Sequence, residues 1–183
     1  MKNKITDCLD SLPRNKRHLV CRAKSKDNGE WVYGFYYEND NKSIISILEP
    51  DTTDPFQIFC PVHIEVDTNT ICSCTGVKCW DNYIKAPYTN KKYIFEGDVI
   101  RTYHCNSILN VGIVKYADYE DMDLGAFILD RVYGYGYGDG DDTLYDYVGE
   151  VGMELMGNIY DNPEMVSEEY YLSRQNEFDL DKK

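Results

Sequence analysis

From Trp31 to Tyr37 the chain alternates with a period of two. Trp31, Tyr33, Phe35 and Tyr37 fall on one face, and Val32, Gly34 and Tyr36 on the other. A helix repeats every 3.6 residues, so this pattern predicts a strand. Leu19–Lys24 reads as the strand before it. Asp27-Asn28-Gly29 lies between, and Asn-Gly tolerates the positive φ that a tight hairpin needs. Asn39-Asp40-Asn41 predicts the next turn, and β-branched Ser43–Leu48 a third strand. Glu49–Pro55 reads as a loop, followed by short strands near Phe56–Phe59, His63–Val66 and Ile71–Cys74. Lys78–Lys92, polar and aromatic with one proline, reads as an inserted loop.

Gly97-Asp98 opens a second β region. Strands are expected over Val99–Cys105, Ile108–Tyr116 and Ala126–Tyr133, then over Leu144–Val148 and Glu154–Tyr160. Tyr133–Asp142, YGYGYGDGDD, reads as a mobile loop, because glycine at every second place leaves no packed strand face. Asn162-Pro163-Glu164 predicts a helix start, with Asn162 as N-cap, Pro163 at the first position and Glu164, Glu168 and Glu169 near the positive end of the dipole. The helix is expected to reach about Gln175, and Asn176–Lys183 to be a disordered tail. Ile5, Leu9 and Leu12 before Pro13 suggest a short amphipathic appendage. The expected fold class is mainly β: an N-terminal antiparallel hairpin or meander, a C-terminal SH3-like small barrel and a short C-terminal helix.

At 183 residues the chain is long enough for one domain that buries about 70% of its unfolded surface. No apolar run reaches the length that spans a bilayer, and the opening residues lack the apolar stretch of a signal peptide. An intracellular protein is expected. The net charge of −13 is unevenly placed. Residues 1–26 hold eight Lys or Arg against two Asp, a local charge of +6, while residues 117–183 hold four against 18, a local charge of −14. Nucleic-acid binding draws on positive surface, so direct binding by the whole domain is not expected. The acidity fits solubility, self-association of a basic arm with an acidic face, or imitation of a DNA backbone.

Seven cysteines without a signal peptide read as reduced thiols. Cys60-x-x-His63 with Cys72-x-Cys74-x4-Cys79 is the best metal candidate, since zinc takes four such ligands. Cys72 and Cys74 would share one strand face, however, and free cysteine more often packs as a small hydrophobe. No metal or cofactor is expected. Among the histidines, His18, His63 and His104, the last adjoins Cys105 on the opposite face of a strand and so cannot pair with it. Asp139-Gly140-Asp141-Asp142 with Glu150 has the first and last ligands of a calcium loop, but Leu144 replaces the needed glycine. No catalytic constellation emerges, and a non-enzymatic protein is expected. Tyr133, Tyr135 and Tyr137, with Asp139, Asp141 and Asp142, are the candidate interaction residues. Tyrosine gives rigid contact area with a polar tip, although seventeen Tyr also suit an AT-rich coding bias.

Four segments in order resemble the YopX family of phage and prophage proteins. They are Val20–Tyr37 with its Gly29-Glu30-Trp31-Val32 core, Ile71–Gly76 ending in Thr75-Gly76, Tyr93–Ile100 around Glu96-Gly97-Asp98, and Met156–Glu164 with Gly157-Asn158 and Asn162-Pro163. The resemblance covers about residues 17–166. It leaves residues 1–16 as an extension and 167–183 as an acidic helix and tail. The stretch between Gly76 and Glu96 is longer than the family pattern. The resemblance implies a mostly β, phage-encoded protein in a bacterial cytoplasm, with self-association plausible, and it implies no reaction. The signature residues themselves read as turn formers. The expected role is accessory: binding a protein partner, identity open. The alternative is sequestering a nucleotide or other small molecule, or mimicking DNA, against host defence.

Overall fold

The structure is a computed structural model. It describes residues 20–50, 59–80, 91–104, 107–119, 124–134, 143–145, 147 and 152–174. The chain divides into two compact units, 1–76 and 77–183. Both are built on largely antiparallel sheets, so the mainly β expectation holds.

In the first unit, β1 (Val20–Lys24), β2 (Trp31–Asn39), β3 (Lys42–Pro50) and β4 (Phe59–Glu65) form a meander, and the start of β5 (Cys72–Trp80) pairs antiparallel with β1. The β1–β2 hairpin is wider than two residues. It closes at Ser25 and Glu30, and only Gly29 takes a positive φ, +72°. The β2–β3 hairpin is tight, with Asp40 and Asn41 at φ +48° and +62°, the double left-handed geometry that Asp and Asn tolerate.

The sheet curls far enough for its ends to meet. Ser25 bridges Val66, and Lys26 N donates to Glu65 O. Inside the curl lie Ala23, Ile45 and Val66, fully buried, with Val32, Ile47, Ile64 and Ile71 packed on them. Gly34 permits the bend: a Cβ there would sit 2.2 Å from Ser46 O. The aliphatic face is therefore the core, and the aromatic row of β2 lies on the outer face.

In the second unit β6 (Lys91–Phe95) pairs with β5, and the sheet runs β5-β10-β7-β8-β9. Its strands are β7 (Asp98–His104), β8 (Ser107–Tyr119), β9 (Leu124–Gly134) and β10 (Gly152–Asn158). β10 is antiparallel to β7 and meets β5 in parallel at Glu154 and Trp80. The core on one side joins Val77, Cys79, Ile94, Ile100, Val114, Leu129, Leu144, Tyr147 and Met153. A second cluster joins Val99, Val111, Ile113 and Tyr171.

Four expectations need correction. No pairing among the described residues closes this sheet into the expected small SH3-like barrel, and β10 enters between β7 and β5. Leu144 begins no strand. It sits in a turn after a single bridge from Thr143 to Ile128, and its fully buried side chain fills the core. The reading of Lys78–Lys92 as a loop is trimmed at both ends, since β5 runs to Trp80 and β6 starts at Lys91. The closing helix is broken. A 3-10 turn over Pro163–Val166 stops at Ser167, whose extended backbone (φ −109°, ψ 140°) lets its hydroxyl cap α1 (Glu168–Leu172) by accepting from Tyr170 N at 3.3 Å. Residues 1–19, 135–142 and 175–183, with the appendage, glycine loop and tail read there, lie outside the described residues.

Candidate functional site

The signature residues of the third and fourth segments, Glu96–Asp98 and Gly157–Pro163, converge on one corner of the second unit. β10 and β7 pair Gly157 with Val99 and Asn158 with Asp98, so two segments distant in sequence become neighbours. Glu96 and Gly97 make the turn into β7, with Gly97 at φ +78°. Gly97 N donates to Val114 O at 2.8 Å, and Gly97 O accepts from Ile159 N at 2.9 Å. Asp98 is 1% exposed, and its carboxylate accepts from Phe95 N at 2.8 Å.

Asn158 Oδ1 accepts from Tyr160 N and Asp161 N, both at 3.0 Å. Asn162 caps nothing in its own 3-10 turn; its Oδ1 faces Asn158 N at 3.5 Å. Gly157 leaves room for that amide, since a Cβ would come within 2.3 Å of it. Pro163 starts the 3-10 turn. Asp98, Asn158 and Asn162 direct side-chain oxygens at backbone amides, which is how a turn is held, and Asn158 Nδ2 also donates to Asp161 Oδ2 at 2.9 Å.

A buried polar cluster in the same unit escaped the sequence reading. Glu154 lies across β10–β7 from Arg101 and is 6% exposed. Its Oε2 accepts from Arg101 Nη2 at 2.7 Å, Arg101 Nε at 3.2 Å and Tyr103 Oη at 2.5 Å. The guanidinium stands 5.3 Å from the Tyr103 ring centroid. A carboxylate so surrounded is compensated in place, which fits a structural strut. The only hint in sequence is one acid within the apolar run Met153–Met156.

Tyr133, a candidate interaction residue, ends β9 half-buried and stacks on Tyr171 at 5.5 Å and 22°. Tyr171 is fully buried, and its hydroxyl donates to Met165 O at 2.8 Å. Burial, reinforced by Tyr170, pushes its pKa up to about 12. Tyr170 meets Tyr171 edge-on and carries the Arg174 guanidinium 4.5 Å above its ring. Around this stack the closing segment is open. Val166 is 43% and Leu172 48% exposed, and Glu164, Glu168 and Glu169 are exposed too. Tyr135, Tyr137, Asp139, Asp141 and Asp142 lie outside the described residues.

In the first unit Trp31 is half-buried on the outer face. Arg22 lies 4.7 Å and Lys24 Nζ 5.5 Å from its ring centroid. Farther along the row Phe35 is 39% exposed, and Tyr37 Oη lies 3.1 Å from His63 Nδ1. His63 thus serves an exposed aromatic contact. Cys72 and Cys74 are buried, and Cys72 Sγ donates to Thr70 O at 3.3 Å. Thr75 is buried as well, and Gly76, the last residue of the first unit, takes a φ of +77°. Cys79 packs in the core of the second unit. No group of three or more potential metal ligands gathers among the described residues. The Cys60 side chain, the His104 side chain, His18, Asp139, Asp141, Asp142 and Glu150 lie outside them. No helix among the described residues is long and apolar enough to cross a membrane.

Fold and polar groups together define a two-unit β protein whose distinctive residues lock strands and turns. The family comparison narrows this further: the YopX protein family matches residues 21–167, and the chain belongs to that family. No curated protein and no solved structure matches it.

Proposed function

We infer that the chain is a phage or prophage accessory protein that acts without catalysis, by binding a protein partner through its acidic last third. The observation that supports this is the closing segment. Val166 and Leu172 stand exposed on short helical turns fixed to the core through Met165, Tyr170 and Tyr171, with Glu164, Glu168 and Glu169 exposed beside them. Apolar anchors with a charged surround suit a protein interface, and the carboxylates select a partner face rich in Lys and Arg. By sequence, Asp139, Asp141 and Asp142 belong to the same acidic last third.

The test is affinity capture from host lysate with wild type and two folded variants, Leu172→Ser with Glu168→Gln and Glu169→Gln, and Asp139→Asn with Asp141→Asn and Asp142→Asn. One protein is expected to be retained by wild type and reduced at least fivefold by each variant. Equal capture by all three would refute the reading. Sedimentation of the purified chain reveals whether that partner is a second copy.

A further inference from the structure

The β8–β9 hairpin outruns the sheet it belongs to. β7 pairs with β8 as far as Val99 and Ile113, and Gly97 N extends that line by one bond, to Val114 O at 2.8 Å. From Lys115 to Tyr119, β8 pairs with β9 alone among the described residues. At the same level β9 is covered by its own chain: Thr143 bridges Ile128, and Leu144 N donates to Phe127 O at 2.6 Å. The outer side of β8 has no such cover among the described residues. A two-stranded ribbon is marginally stable by itself, and a bare strand edge is a template for another strand.

The hydrogen-bond pattern says which groups are bare. Phe127 O points out of the ribbon toward Leu144, so Phe127 and its partner Tyr116 are a non-hydrogen-bonded pair, and the Tyr116 N–H and C=O point away from β9 as well. Val114 O, two residues back, points the same way, to Gly97. By the period of two, Asp118 follows. Lys115 and Ala117 direct theirs at Ile128 and Ala126. The edge therefore offers the N–H and C=O of Tyr116 and of Asp118. The devices that protect natural edges are missing here. No proline or bulge lies between Gly112 and Tyr119, and the Lys115 ammonium is drawn across the ribbon to Asp130. The Tyr116 ring leans the same way, edge-on to Phe127 at 5.4 Å and over Gly125, and the residue is 53% exposed.

We propose that this edge pairs with the same edge of a second copy, antiparallel about a two-fold axis at Ala117, so that two ribbons join into one sheet across the chains. The edge is complementary to itself in this register. Tyr116 faces Asp118 of the second copy and Asp118 faces its Tyr116, so every N–H and C=O of these residues finds a partner. An axis at Tyr116 would instead set Asp118 against Val114, whose carbonyl already accepts from Gly97 N. So short a pairing belongs with the weak, transient interfaces. It uses the backbone of β8 and does not depend on the closing segment proposed above.

The experiment is sedimentation of the full chain from about 5 to about 300 µM, with a cysteine cross-link beside it. Wild type is expected to pass from monomer toward dimer over that range. Asp118→Pro removes an outward N–H and spares the β8–β9 ladder, so it should stay monomeric at the highest concentration with an unchanged circular dichroism spectrum. Ala117→Lys sets two like charges opposite each other on the axis and should do the same. Across that axis the two Ala117 residues form a non-hydrogen-bonded pair with Cα atoms about 4.5 Å apart, within disulfide reach. Under mild oxidation Ala117→Cys should cross-link at least about fivefold faster than wild type or than Arg131→Cys, an exposed position on β9. The cross-link decides the matter if Asp118→Pro fails to fold. A chain monomeric at every concentration, a dimer that survives both edge variants, or Ala117→Cys cross-linking no faster than Arg131→Cys would each overturn the proposal. So would a dimer abolished only by Leu172→Ser with Glu168→Gln and Glu169→Gln, because the contact would then lie on the closing segment.

Discussion

Replacing Glu154 with leucine removes the acceptor shared by Arg101 and Tyr103 and keeps an apolar side chain of similar bulk. The Glu154 side chain is 9% exposed and that of Arg101 15%, so water compensates little of the loss. Breaking a buried ion pair by deleting one partner costs about 3 to 5 kcal/mol, and a hydroxyl that loses a charged acceptor adds about 1 kcal/mol. The slight exposure of Arg101 favours the lower end, about 3 kcal/mol. At about 2 to 4 °C per kcal/mol for a chain of this size, the midpoint should fall by about 6 to 12 °C. Urea unfolding followed by circular dichroism, with a thermal scan beside it, measures both.

The decisive comparison is Arg101→Met together with Glu154→Leu. Removing both charges relieves the unpaired ion, so the double variant should recover at least half of the loss. Tyr103→Phe should cost less than Glu154→Leu, about 2 kcal/mol. A Glu154→Leu protein within about 0.5 kcal/mol of wild type, or a double variant that simply adds the two single losses, would refute the account of this cluster as a compensated strut.

Two further outcomes follow from named contacts. Tyr171 has its folded pKa raised from 10.0 to about 12 by burial, so its contribution to stability is complete below pH 10 and is lost as pH rises toward 12. Wild type should lose up to about 2 kcal/mol more than Tyr171→Phe over that window in denaturant titrations, and parallel curves would sink the assignment. Gly34→Ala places a methyl 2.2 Å from a backbone oxygen in the curl of the first unit, and should destabilise by at least about 2 kcal/mol by calorimetry; a neutral substitution would show that the curl is not held by that approach.

The sequence by itself determined the local grammar. Alternation along Trp31–Tyr37 made a strand, Asp40-Asn41 a left-handed corner, and Gly97-Asp98 a turn, because each depends on backbone and side-chain preferences within a few residues. The four family segments were legible for the same reason, being short runs of turn formers and apolar strand residues.

Tertiary structure decided which side of each strand became core. Both faces of β2 are apolar, so periodicity could not say that Val32 turns inward with Ile45 and Val66 while Phe35 stays outside. It also decided that β10 enters between β5 and β7, which brought Glu154 to Arg101, residues 53 apart in the chain. Ser167 broke the closing helix because Met165, Tyr170 and Tyr171 all had to reach one apolar cluster. Local preference chooses the element. Its partners are chosen by which long-range contacts bury the most apolar surface and leave no charge unpaired, a property of the assembled chain and of no single segment.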